Sequence, residues 1–556
     1  MALIRFDWRR VLIYTHRWLG IVGSVVFLVW FVSGVVMVYA RMPRLTAEER
    51  LMRLSPIDLS LVRVSPSDAA RRAAVVPDRL RIGTLGDRPV YRFLSQGSWT
   101  TVFADTGEPL LGVHAAEAVN LMRRFVPEYA PTARYAGYLV APDQWTLDGG
   151  LPRFLPMHRI ALGDPDDTCL YVSDRTGEAV MKTTGRGRFW GYMGAVLHWT
   201  YFTPFRRQAG LWKWSIIYAA LIGCVMCLTG LATGIWRYSL SRRFRLKRVK
   251  SHSPYAGLMW WHHYAGLMFG LATFTWTLSG ALSLTPWDWA PGTAPSAQQT
   301  EAVAGGPLHL EQLSVPRLRE AAAAINASFA PKEFEVLQFR GQPFLMAYRP
   351  PSNDQAYRWT NPDLRAFVSP QLTIEHRIVL MNAPEKPTFT RFSDEEVLVA
   401  ARAAVPGVAI EDATWLDEYD SYYYDRRDTK PLPVLRVRYA NPQRTWLYFD
   451  PQHGLISANY DRLSRINRWA YHGLHSLDFP FLYHSRPAWD MVVITLSLGG
   501  IVLSVATMLP AWRRLRRRAR EFWPRPSPSL FRLSGTESDR GNSGSPERRP
   551  STRVGP

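Results

Sequence analysis

His16 and His262 stand in the same setting at distant places in the chain. His16 is followed by Gly20, Trp30, Ser33 and Gly34, and His262 by Gly266, Trp276, Ser279 and Gly280 at the same offsets. At about 100° per residue, the Gly, Trp and second Gly return to the histidine's own helix face. Such a stripe sets an imidazole at a membrane border beside a bare patch, the room a flat porphyrin needs. A second pair repeats as well: Leu197-His198, Trp212 and Gly223 keep the spacing of Leu474-His475, Trp489 and Gly500. Two imidazoles facing each other across a helix bundle suit bis-histidine ligation of a low-spin haem, which transfers electrons and leaves no coordination site open.

A single histidine at a membrane border is ordinarily an interfacial or hydrogen-bonding side chain. Repetition at matched spacing is what favours ligation by His16 with His262 and by His198 with His475. His263 competes with His262, and His472 competes with His475 from one turn earlier; the matched spacing favours the latter of each pair. No CxxCH occurs, so any haem is b-type and non-covalent. No Walker loop, dinucleotide fingerprint or Ser-His-Asp signature is present, so electrons must come from outside the chain.

These histidines need spanning helices to hold them. Mean hydropathy is only -0.14, so much of the 556-residue chain lies in water. Four stretches nonetheless meet the length and apolarity of a span, at 18–40, 214–236, 264–286 and 489–510. The net charge of +21 is distributed topologically. Arg5, Arg9 and Arg10 precede the first span, seven Lys or Arg and no acid run from Arg237 to His263, and a run of arginines follows the fourth span. The positive-inside rule then puts 1–17, 237–263 and 511–556 in the cytoplasm. It places 41–190 and 287–470 outside, with interfacial segments at 191–213 and 471–488. Nucleic acid is not an expected partner; membrane lipid is. The first span exceeds a signal-peptide core and shares its pattern with the internal third span, so it is read as retained. Parallel helices place His16 and His262 near the inner border, and His198 and His475 at the outer one. Arg17 at the inner border, and Arg206 with Arg207 at the outer, could offset haem propionates. Three cysteines make no disulfide framework, and Cys224 with Cys227 read as packing within a span.

The outer segments carry hairpin signals at Val102–Glu108, Leu170–Glu178 and Trp446–Gly454, and helical stretches near Ser67–Val75, Val315–Ile325 and Ser393–Val405. Each segment therefore reads as α+β. Pro286–Pro307 reads as a linker, Glu418–Asp425 as a solvated acidic-aromatic loop, and His114 and His158 as structural. The stretch from Pro524 to Pro556 reads as disordered. The whole is a four-span membrane bundle, built from a duplicated two-span unit, with two α+β outer domains.

The span motifs resemble the PepSY-associated transmembrane proteins of bacteria. The likeness rests on His16-Arg17-Trp18-Leu19-Gly20, on Leu197-His198, on Thr229-Gly230 with Gly234-Ile235-Trp236, and on His262 to Gly266. The outer hairpins are similar to PepSY modules. The resemblance implies a multi-pass inner-membrane protein with periplasmic PepSY-like domains and two b-type haems. It implies a ferric siderophore as acceptor; with no flavin or nicotinamide site in the chain, a membrane quinol or a cytoplasmic flavoprotein would serve as the outside donor. A membrane-anchored PepSY scaffold without redox activity is the alternative. A transporter would need ionisable residues in mid-membrane, and the spans hold almost none.

Overall fold

The computed structural model describes residues 7–147, 150–241, 243–246, 249–350, 374–425 and 430–522. The stretch from Pro524 to Pro556 lies outside them. Four helices are long and apolar enough to cross a membrane: Trp8–Tyr39, Ala209–Arg237, Leu258–Ser283 and Ala488–Phe522. Val22, Met268 and Leu271 on these helices are left largely exposed by the protein itself. Apolar faces of this size call for a lipid surround, and a helix satisfies its own backbone there. The helices begin before the expected spans, because Asp7 caps Arg10 N–H (3.3 Å) and the chain is already helical through His16. His16 and His262 therefore sit inside their helices rather than at their mouths.

The extra-membrane strands fall in chain order. The first segment holds β1 (Arg79–Leu85), β2 (Arg88–Ser95) and β3 (Ser98–Phe103), then β4 (Arg134–Leu139), β5 (Met157–Ala161), β6 (Cys169–Ser173) and β7 (Ala179–Thr183). A short hairpin, β8 (Phe244–Leu246) and β9 (Val249–Ser251), lies between the second and third spans. The second segment holds β10 (Glu333–Phe339), β11 (Gln342–Arg349) and β12 (Glu375–Leu380), then β13 (Ile410–Leu416), β14 (Val434–Tyr439), β15 (Trp446–Asp450) and β16 (Leu455–Tyr460). The three hairpins read from sequence are present, at the turn after β3, between β6 and β7, and between β15 and β16.

The two extra-membrane segments, expected as separate outer domains, share one sheet. Its order is β12-β11-β10-β1-β2-β3, and antiparallel pairing of β1 with β10 (Leu80 opposite Val336) joins them. Leu80, Ile82, Tyr91 and Phe93 from one segment and Leu318, Phe334 and Leu345 from the other close a common core. Beside it lies a buried ionic cluster. Glu333 on β10 accepts from both terminal nitrogens of Arg50 (2.8 Å each), and Glu178 accepts from Arg81 (2.9 Å) and Arg50 (3.2 Å). Each remaining four-stranded sheet, β4-β5-β6-β7 and β13-β14-β15-β16, belongs to one segment.

Two expectations are corrected here. Pro286–Pro307 is not a bare linker: Ser296 and Gln299 form a capping box that starts a helix at Ala297–Ala304, and Val303 from it enters the second segment's core. The 418–425 run is not a solvated loop. Tyr423 is fully buried and stacks on Tyr448 (5.2 Å), while Asp420 accepts from Tyr448 Oη (2.9 Å) and from two backbone N–H groups. Burying those hydroxyls with partners turns the run into packing.

Candidate functional site

Each two-span unit builds its second histidine, expected at the outer border, the same way. A π-helical turn, Tyr192–Val196 in one unit and Arg468–Gly473 in the other, leads into a short helical end carrying His198 or His475. The chain then reverses through a left-handed residue, Thr200 (φ 55°) or Leu477 (φ 53°). Non-glycine residues hold that conformation at a cost of order 1 kcal/mol and cluster where geometry serves function. Trp212 Nε1 donates to Trp199 O (3.0 Å), and Trp489 Nε1 to Ser476 O (3.1 Å). The tryptophans matched in sequence thus tie each histidine-bearing end to the following span.

The structure brings the four histidines together in two pairs. The rings of His16 and His262 lie 6.0 Å apart, centre to centre, and those of His198 and His475 lie 6.1 Å apart. Every Nδ1 is held. His16 donates to Met226 O (2.9 Å) and His262 to Leu503 O (3.1 Å). His198 Nδ1 lies 3.1 Å from Trp30 O and 3.2 Å from Ser33 Oγ; His475 Nδ1 lies 3.1 Å from both Trp276 O and Ser279 Oγ. A carbonyl oxygen only accepts, so Nδ1 carries the hydrogen and neutral Nε2 keeps its lone pair. Burial, with the neighbouring His475 ring, pushes His198 down to about 4, so it is uncharged near neutrality.

Neither pair is a flat ring-on-ring stack: the ring planes meet at 31° in the first and 67° in the second. The glycines divide their work. Apart from its own helix, nothing lies within 4 Å of where a Cβ on Gly20 or Gly266 would sit. Gly34 and Gly280 instead give close approach to the outer histidines, 3.5 Å from a Cβ to Cε1 of His198 or His475. Gly230 does the same for His16, where a Cβ would fall 2.5 Å from Cε1.

A cavity of about 500 Å³ adjoins the His198–His475 pair, within the range of small-molecule and cofactor sites. Its wall is aromatic and apolar (Phe27, Phe31, Trp30, Trp276), with His198 and His475 facing in and Arg41 and Arg486 also lining it. The arginines read from sequence are not themselves in this wall, though Arg206 packs on two of its residues, Tyr201 and Trp212. Arg206 lies over Trp212 (4.6 Å), Arg207 Nε donates to Pro142 O (3.1 Å), and Arg17 lies over Tyr14 (5.1 Å). Arg41 and Arg486 carried no repeat signal that could have singled them out.

The competing histidines are placed apart. Both nitrogens of His263 are engaged, by Ser253 Oγ (2.7 Å) and Gly234 O (2.9 Å). His472 packs on Tyr471 (4.5 Å) and is not part of the cavity wall. His158 Nε2 meets Val113 O (2.6 Å), and His114 precedes the Ala115–Phe125 helix. Among the described residues, no group of three or more His, Cys, Asp or Glu side chains converges on a metal position.

The two pairs lie toward opposite ends of the bundle. His16 and the Trp30–Gly34 segment that receives His198 share one helix, 14 to 18 residues apart. That is roughly 21–27 Å at 1.5 Å per residue. Phe27, Phe31, Trp30 and Trp276 pack in between, with neighbouring ring centres 5.7 to 6.3 Å apart. No family model matches this chain, and no curated protein matches it significantly.

Proposed function

We propose that this chain is an inner-membrane dihaem protein that carries electrons outward to a periplasmic acceptor. The observation that carries the reading is the doubled histidine pair: four Nδ1 atoms tied to carbonyl oxygens, and rings paired at 6.0 and 6.1 Å that would let each pair hold one haem iron. His16 with His262 would hold the inner haem, and His198 with His475 the outer one. A bis-imidazole b-type haem supplies one-electron transfer.

The chain's own groups do the rest. Ser33 and Ser279 stand beside the carbonyls that orient the outer imidazoles. The wall is largely aromatic and apolar, and Arg41 with Arg486, the latter ion-paired to Asp490 (3.3 Å), would supply positive charge for carboxylates at the cavity edge. Arg9 lies over Trp236 (5.0 Å), so the basic ends of the first and second spans share one end of the bundle, which supports a cytoplasmic placement for both. The resemblance to PepSY-associated proteins makes a ferric siderophore the acceptor class we favour, with a quinol or cytoplasmic flavoprotein as donor.

The test is the absorption spectrum of the purified full chain, oxidised and dithionite-reduced, with a pyridine haemochrome count. About two b-haems per chain, falling to about one in His16→Ala or His198→Ala, supports the reading. A colourless protein that takes up no added haem refutes it and leaves the anchored scaffold.

A further inference from the structure

We infer that His376 and His453 form a binding site for a divalent first-row transition ion, on the extra-membrane body and independent of the haem reading. His376 lies on β12, the edge strand of the shared sheet, opposite Tyr348. Its Nε2–H donates to Thr390 O (2.7 Å), which leaves the lone pair on Nδ1. His453 lies in the turn between β15 and β16. Its Nδ1–H donates to Asp450 Oδ2 (2.7 Å), which leaves the lone pair on Nε2. Each imidazole thus has one nitrogen anchored by an oxygen and one available, the arrangement that orients metal-ligating histidines.

The two ring centres lie 5.2 Å apart, with planes 33° apart. With metal–nitrogen bonds of about 2.0–2.1 Å, two imidazoles on one tetrahedral ion place their centres about 5.1 Å apart. The His376–His453 separation is compatible with that value.

The holder is rigid. Asp450 is buried (3% exposed) and its other oxygen accepts from Gln452 N–H (2.8 Å). Phe392 N–H donates to Pro451 O (2.8 Å), and Gly454, at φ 60°, lets the turn press on Phe392 and Phe339. The His453 side chain is 32% exposed, so solvent reaches it. Imidazole donors suit zinc, copper, nickel or ferrous ions and not magnesium or calcium. Two protein ligands leave further positions for water or for donor atoms of a bound chelate.

The experiment is calorimetric titration of Zn²⁺ into chelator-stripped full chain in nanodiscs, with Cu²⁺ electron paramagnetic resonance on the same material. One site per chain is expected, weakened about tenfold or more by His376→Gln and by His453→Ala, with loss of nitrogen couplings in the Cu²⁺ spectrum. Asp450→Asn, which leaves both imidazoles in place, lowers affinity about 10- to 100-fold while keeping the stoichiometry. Far-UV circular dichroism checks that each variant is folded, and His376→Gln keeps a hydrogen-bond donor for Thr390. Absence of saturable Zn²⁺ binding, or binding unchanged in all three folded variants, overturns the proposal. The haem content is read separately from the Soret band, so the two readings fail independently.

Discussion

Glu333→Gln removes one charge from the buried cluster that joins the two outer segments, and its effect can be worked from the structure. Glu333 is 5% exposed and accepts from Arg50 twice at 2.8 Å and from Arg81 at 3.4 Å. With Arg92 and Glu178, the cluster holds three guanidiniums against two carboxylates. Removing one partner of a buried pair costs about 3–5 kcal/mol, because the other charge stays buried without it. The guanidiniums of Arg50 and Arg81 overcome the burial penalty and hold the Glu333 carboxyl well below its ordinary value. The folded-state value is depressed, so the stabilisation is complete above the ordinary carboxylate range and fades as pH falls from about 4.5 toward 2. Amide hydrogen exchange of the full chain in nanodiscs reads it at the β1–β10 ladder, where Leu80 pairs with Val336. Exchange there is expected to quicken about 100-fold in Glu333→Gln at pH 7. The gap between the two proteins should narrow at pH 3. Less than about fivefold at pH 7, or the same gap at both pH values, would refute the reasoning.

Four further outcomes follow from the membrane sites. Gly230→Ala puts a Cβ 2.5 Å from His16 Cε1 and should remove one haem from the pyridine haemochrome count; Gly34→Ala, at 3.5 Å from His198, should keep both. His263→Ala leaves the reduced α band unchanged but lowers the melting temperature, since it strips two buried hydrogen bonds worth about 1 kcal/mol each. Ser33→Ala with Ser279→Ala should weaken retention of one haem about 10- to 100-fold in a competition assay with apomyoglobin, without abolishing it. Arg41→Leu with Arg486→Leu should lower the midpoint potential of one haem in a redox titration and leave the other unmoved, since only the outer cavity contains them.

The elements that repeat in the chain were legible in it. Four apolar stretches, the paired His-Gly-Trp-Ser-Gly stripes and the matched Leu-His and Trp positions are local or periodic. A helix converts fixed spacing into a fixed face, so these features carry their geometry in sequence. The same holds for the three hairpins, whose turn residues lie between the strands they join.

What required the tertiary structure was set by groups far apart in the chain. The carbonyls that hold the histidines, Met226 and Leu503, leave no mark because every residue has a carbonyl. The Trp-Ser-Gly part of each stripe proved to receive the second histidine of its own unit, His198 or His475, instead of extending the site of the first. Both nitrogens of His263 are engaged by Ser253 and Gly234, a fact that spacing could not express. The pairing of β1 with β10 crosses a two-span interval, and no local pattern encodes which distant strand completes a sheet. Sequence spacing determined which residues share a helix face; only packing across helices and strands decided which of those faces meet.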